Sequence, residues 1–227
     1  LVEFEDGGRT RMRVLDDGVG MSPDDARLSL ERHATSKIDT ERDLETIRSF
    51  GFRGEALPSI QSISRFDLRS RRAGGKGEPG DEVGLWIHSE GGSSLTEQQV
   101  AMPPGTDIEL TDLFFNVPAR RKFLKADRTE ASHIVETVKS LALAYPPVRF
   151  TLRSGARTVF DLAPDGDLLG RARAVFGAEI ARGLYPLEHE GSIRLEGLLA
   201  RPDLTRRSPG NIYLYVNRRH VRDRMLQ

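Results

Sequence analysis

Apolar and polar residues alternate from the first positions of the chain: Val2 and Phe4, then, beyond Asp6-Gly7-Gly8, Met12 and Val14. Period-two alternation turns one side of each segment to a core, and the Asp-Gly-Gly turn between the runs predicts a β-hairpin whose second strand ends at Leu15-Asp16. The period then changes. Ser22-Pro23-Asp24-Asp25 has the marks of a helix start, with a hydroxyl N-cap, proline at the first helical position and acids in the first turn, and Ala26, Leu28 and Leu30 follow it. Thr40-Glu41-Arg42-Asp43 caps a short helix carrying Leu44 and Ile47, and a further helix is predicted from Glu55 to Ser64. Pro58 is tolerated there because first-turn N–H groups have no intrahelical partner.

Strands are predicted over Phe66 to Arg71 and over Val83 to Ile87, joined by a glycine-rich loop, 72–81, expected to be mobile and without assignable chemistry. Trp86 reads as a packed residue. Pro103-Pro104-Gly105-Thr106 makes a turn before a strand over 107–110, and a helix is predicted to begin near Pro118. A longer helix from about Glu130 to Tyr145 presents Ile134, Val135, Val138, Leu141 and Ala142 as a core-facing stripe, ended by Pro146-Pro147. Arg149 to Leu152 pairs with Thr158 to Leu162 across Ser154-Gly155. Ala163-Pro164-Asp165-Gly166-Asp167 is the best linker, dividing 1–163 from a second domain over 164–227 with a helix around Leu169 to Phe176 and strands near Ile193 to Ala200 and Asn211 to Val216. Because the chain opens inside a hairpin strand and without an initiator methionine, part of the fold is expected upstream of Leu1.

The 227 residues suffice for one large domain, or one domain with part of a second. Lys and Arg total 34 and so do Asp and Glu, so overall charge argues for neither nucleic acid nor membrane, and any polyanion site must be a local patch. No apolar run approaches the roughly 18 residues of a membrane span, and a cytosolic location is expected. The absence of cysteine excludes disulfides and thiolate metal sites. His133 reads as structural, since no second ligand lies at a metal-binding spacing.

Two glycine-bearing segments carry the candidate chemistry. Gly51-Phe52-Arg53-Gly54-Glu55-Ala56-Leu57, leading into an apolar helical pattern, is how a chain points free backbone N–H groups at phosphate. Asp16-Asp17-Gly18-Val19-Gly20-Met21 suits the base of a nucleotide: a carboxylate accepts from an exocyclic amine while glycines let a ring approach the backbone. Alone, that segment reads rather as an ordinary strand-turn-helix junction, and it is the neighbouring segments that favour a ligand. His33-Ala34-Thr35-Ser36-Lys37 between them suits phosphate oxygens, and a solvated loop as well. Together the two segments and the polar stretch between them predict a flexible lid over a bound anion. Arg120, Arg121 and Lys122 read either as a solvated face or as an anion or partner contact. Arg201, Arg206, Arg207, Arg218, Arg219, Arg222 and Arg224, opposed only by Asp203 and Asp223, read as the one patch suited to a phosphodiester backbone, or as ordinary surface arginines of an arginine-rich chain.

With these segments in order, and with Asn116-Val117-Pro118-Ala119-Arg120-Arg121-Lys122-Phe123-Leu124 after them, the sequence resembles the N-terminal ATPase region of the MutL family of DNA mismatch-repair proteins, within the GHKL superfamily. The likeness spans essentially the whole chain. Arg32-His33-Ala34-Thr35-Ser36-Lys37-Ile38 and Gly51 to Leu57 are similar to family motifs nearly residue for residue, and Tyr215-Val216-Asn217-Arg218-Arg219 to a second-domain strand. The resemblance implies an α/β sandwich with a mixed, mostly antiparallel sheet and helices on one face, followed by part of a ribosomal-protein-like domain. It implies ATP with Mg2+ as cofactors, Asp16 on the adenine amino group helped by Gly18, Gly20 and Thr106, and Thr35, Ser36, Lys37 and the backbone of Gly51, Phe52, Arg53, Gly54, Glu55, Ala56 and Leu57 on ribose and phosphates. DNA would meet Arg218, Arg219, Arg222 and Arg224.

The partners implied are DNA without sequence specificity, a mismatch-recognition protein, a downstream nuclease or helicase, and a second copy joined in a nucleotide-dependent dimer, in the cytoplasm at the nucleoid. The catalytic glutamate and the magnesium-holding asparagine of the family lie upstream of the hairpin, before Leu1, and its γ-phosphate lysine beyond Gln227. The chain alone is therefore expected to hydrolyse ATP barely if at all. Pro58, Phe115 and Val117 stand where the family usually has alanine, tyrosine and threonine. The competing readings are a DNA-binding and protein-interaction module with a non-functional nucleotide pocket and, disfavoured by 113–124, a topoisomerase ATPase module.

Overall fold

The computed structural model describes residues 1–32, 54–75, 79–204 and 212–221. The short helix expected over 40–47 lies outside them. Two compact units are formed, Leu1–Ile134 with Arg153–Arg157, and Val135–Leu152 with Thr158–Gln227.

In the first unit the predicted hairpin is β1 (Val2–Glu5) and β2 (Arg11–Asp16). Its turn needs its glycines: Gly7 and Gly8 have φ of +65° and +85°, and a Cβ on Gly7 would lie 2.7 Å from the Asp127 carbonyl oxygen. With β3 (Arg65–Arg71), β4 (Gly84–Glu90), β5 (Ser93–Val100) and β6 (Gly105–Thr111), these strands lie in the order β5-β4-β3-β6-β2-β1, every neighbour antiparallel. Gly155 closes the unit from the far end of the chain, its N–H donating to the Phe4 carbonyl at 2.9 Å.

Alternation sorts this sheet into two unlike faces. Phe4, Phe66, Leu68, Leu85, Ile87 and Leu110 are buried on one of them. Helices α1 (Pro23–Leu28) and α2 (Ala56–Gln61) belong to that side: Ala26 is buried with Phe66, Leu68, Leu85 and Ile87, and Met21, Leu30, Leu57, Ile60 and Ile108 pack around this cluster. Helices of six residues do not persist alone, so burial of this kind, about 1.5–3 kcal/mol for each large side chain, is what holds them. The start of α1 is as expected, Ser22 Oγ accepting from the Asp25 N–H at 3.1 Å.

The opposite face is charged. Arg13 donates to both carboxylate oxygens of Asp107, each at 2.8 Å, and Arg11 donates to Glu109 at 2.7 Å, with Glu3 beside both arginines. Trp86, expected to be packed, is half-buried on this face, donating its indole N–H to Asp67 at 2.6 Å with the Arg69 guanidinium 5.9 Å from its ring.

Helices α3 (Pro118–Arg121) and α4 (Asp127–Ala144) follow. The second unit takes the later part of α4, most of β7 (Phe150–Ser154) and β8 (Arg157–Leu162), α5 (Leu168–Phe176), α6 (Ala178–Ala181), and the antiparallel pairs β9 (Leu184–His189) with β10 (Leu195–Ala200) and β11 (Leu214–Val216) with β12 (Arg219–Val221). Tyr215 donates its hydroxyl to the Ser140 carbonyl at 2.8 Å, and fully buried Arg171 donates to the carbonyls of Pro146 and Val148, the latter at 2.6 Å.

Candidate nucleotide site

Asp16 is the last residue of β2 and stands opposite Thr106 of β6, which in turn stands opposite Ser70 of β3. Three strands thus deliver a carboxylate and two hydroxyls to one end of the sheet. Asp16 is exposed, and its Oδ1 accepts from the Gly18 N–H at 2.9 Å, which curls the following loop back over the strand end. A carboxylate so held accepts only, so the group it recognises must donate.

The loop after Asp16 closes against the neighbouring strands by contacts that only glycine permits. Gly20 has φ of +66°, and a Cβ on it would run into the Arg71 carbonyl; Gly105 has φ of +131°, and a Cβ there would meet the Asp16 carbonyl. The Val19 carbonyl accepts from the Ala73 N–H at 2.8 Å, so the base of the 72–81 loop, to which the sequence assigned no chemistry, braces the candidate base side. Arg72 and Asp81 clamp that loop with an ion pair at 3.3 Å.

Ser70 is the residue that sequence reasoning passed over. It is 1% exposed, and its Oγ accepts from the Met21 N–H at 2.9 Å, donates to the Gly105 carbonyl at 3.0 Å and lies 3.1 Å from Thr106 Oγ1. The available signal was its place in β3: Phe66, Leu68 and Ser70 share the core-facing side, so a hydroxyl falls where the alternation calls for an apolar residue.

On the phosphate side, Gly54 has φ of +60° and precedes α2, whose first turn receives no side-chain cap from Glu55. The first backbone bond into that turn runs from the Ser59 N–H to the Glu55 carbonyl at 3.1 Å. The N–H groups of Ala56 and Leu57 precede it, and Pro58 has no N–H. Leu57 packs on the same buried cluster as Met21, so the two candidate segments are seated on one face of the sheet through one set of side chains. Thr35, Ser36, Lys37, Gly51, Phe52 and Arg53 lie outside the described residues.

Of the candidate DNA residues, Arg218 is exposed at the β11–β12 turn with φ of +65°, its guanidinium 5.8 Å from the Tyr145 ring, and Arg219 is half-buried at the start of β12. Arg201 is paired with Asp203 at 3.1 Å. Arg206, Arg207, Arg222 and Arg224 lie outside the described residues. Among the described residues no group of three His, Asp or Glu side chains is placed to hold a metal ion, and no helix is long and apolar enough to cross a membrane.

Residues 172–227 match the family model described as DNA mismatch repair protein, C-terminal domain. The DNA mismatch repair protein MutL of Geobacter sulfurreducens is 46% identical over the whole chain, and that of Opitutus terrae 47% identical over 99% of it. The chain spans 36% and 35% of the lengths of these two relatives. Among solved structures, the Aquifex aeolicus MutL ATPase domain complexed with ADP is 33% identical with a TM-score of 0.71, covering 99% of this chain and 75% of that one. A mixed α/β fold built on a large, mostly antiparallel sheet, as the sequence implied, is shared with these domains. On identity and coverage together, the chain belongs to the MutL family of DNA mismatch repair proteins.

Proposed function

We propose that this chain is the adenine-nucleotide-binding core of a slow mismatch-repair ATPase. One observation carries the reading: the loop that follows the acceptor-only Asp16, through Met21, and the first turn of α2, through Leu57, pack on one apolar cluster. Asp16 accepts from the adenine amine, Gly18 and Gly20 admit the ring, and the N–H groups of Ala56 and Leu57 meet phosphate. The ADP bound by the Aquifex aeolicus domain supports the same ligand class. Mg2+ would neutralise phosphate charge when bound.

In this reading Thr35, Ser36, Lys37 and Gly51 to Arg53 belong to a lid that nucleotide orders, and closure favours a dimer of N-terminal regions that engages a nuclease or helicase. Domain 1–163 holds the nucleotide, and 164–227 begins the domain that carries its state to DNA through Arg218, Arg219, Arg222 and Arg224. Hydrolysis is assigned in this reading to the full-length protein.

Calorimetry with a non-hydrolysable ATP analogue and magnesium, on this chain and on a form extended at its N-terminus, tests the proposal. Binding by the extended form is expected; binding by neither overturns the site. Proteolysis of residues 33–57 distinguishes the competing DNA-binding module with a silent pocket, which predicts no protection at saturating nucleotide.

A further inference from the structure

The hydroxyl of Ser70 has one hydrogen to give and two lone pairs to offer, and its surroundings use all three. A carbonyl cannot donate, so the contact with Gly105 takes the hydrogen. The Met21 N–H takes one lone pair. What remains for Thr106 Oγ1, 3.1 Å away, is the second lone pair, so Thr106 must be the donor in that contact. Turning the hydrogen toward Thr106 instead would strip the buried Gly105 carbonyl of this donor.

Thr106 has then spent its own hydrogen, and its oxygen presents only acceptors. The same holds for Asp16, opposite it across β2 and β6. We infer that Ser70 is a specificity-determining positioning residue: by fixing the Thr106 hydroxyl as an acceptor, it makes the base side select a purine with an amino group at position 6 over one with an oxo group. The inference rests on the nucleotide reading proposed above. An amino group donates to both residues, whereas an oxo oxygen meets two acceptors and no hydrogen, an arrangement that discriminates by setting lone pairs against lone pairs.

The test compares ADP, the diphosphate of unsubstituted purine riboside, and IDP, by calorimetry on the full-length protein. The expected order of affinity is ADP first, the unsubstituted purine second and IDP last. In Ser70→Ala the Thr106 hydroxyl is free to turn and donate to the oxo oxygen. The ratio of ADP to IDP affinity should fall about tenfold, while ADP binding itself weakens less than about threefold. Loss of packing alone would weaken both ligands alike and leave the ratio where it was.

Thr106→Val gives a second arm that does not depend on Ser70→Ala remaining folded. It should relax the ratio to a similar extent, and adding Ser70→Ala to it should change nothing further. An unchanged ratio in either single variant, or additive effects in the double variant, overturns the role of Ser70 while leaving the site intact. Failure of the unaltered protein to bind any of the three ligands overturns the nucleotide site and this inference with it.

Discussion

Gly20 and the Arg71 carbonyl oxygen lie so close that no side chain fits between them, and the same glycine has φ of +66°. Two independent demands therefore fall on one position. Gly20→Ala must either move β3 or unseat the loop, and the second is the cheaper response. We expect a loss of roughly 2–4 kcal/mol in unfolding free energy and no measurable ADP binding, read by urea titration and calorimetry. Wild-type affinity in this variant would show that the loop does not form the base side.

Asp16 makes a cleaner ligand-directed change. Asp16→Asn keeps an oxygen for the Gly18 N–H and replaces the other acceptor by a donor, in an exposed residue. Nucleotide affinity should fall by one to two orders of magnitude, about 1.5–3 kcal/mol, with stability altered by less than about 0.5 kcal/mol. Equal ADP binding by the two proteins would remove Asp16 from the site.

In the second unit, Tyr215 links stability to alkaline pH. Burial raises its phenol above the ordinary value of 10.0, with the Ser140 side-chain hydroxyl, 3.4 Å from the phenol oxygen, opposing. A folded-state value above the unfolded one means that the folded form holds its proton longer; the contribution is whole below about pH 10 and is lost as pH rises through the folded value. Tyr215→Phe should cost about 1 kcal/mol at pH 8 and flatten the decline above pH 10, measured by denaturant titration at each pH. An identical decline in the two proteins would assign it to other groups.

Arg171 tests the interior of the same unit. Burial lowers its guanidinium from the ordinary range, against the attraction of Asp165, and its Nη2 serves the carbonyls of Pro146 and Val148. Arg171→Ala removes both bonds and leaves a void, with an expected loss of about 3 kcal/mol; Arg171→Met, which fills the space, should lose about half of that. Equal losses would mean that the void is irrelevant and the bonds are everything.

Arg218→Ala should weaken DNA binding evenly across sequences and reduce the slope of log affinity against log salt by about one, as loss of a single phosphate contact requires. A sequence-dependent loss would point to base contact instead.

What the sequence disclosed followed from short-range rules. Ser22-Pro23 capped its helix, Asp6-Gly7-Gly8 turned its hairpin, and Asp16 ended a strand at a glycine loop, because each depends on neighbours within a few positions. β5 left no such trace: Thr96, Glu97, Gln98 and Gln99 are exposed on a strand whose only sheet neighbour among the described residues is β4, so no alternation marks it. β9 was hidden by Pro186, a residue that argues against a strand interior. Ser70 was missed for a different reason, since its partners Met21 and Gly105 are 49 and 35 positions away.

The two unlike faces of the sheet bear on how the site can vary. A one-residue slip of β2 against β6 would carry Arg11 and Arg13 into the apolar side and Met12 and Val14 among the carboxylates of Asp107 and Glu109, so it is opposed twice over. Because Asp16 reaches Thr106 only in that register, the spacing of the two acceptors is inherited from the sheet. Loops around the strand ends are thereby left to diverge without altering that spacing, and under the proposed function a change in base preference would have to come from side chains at those three strand ends.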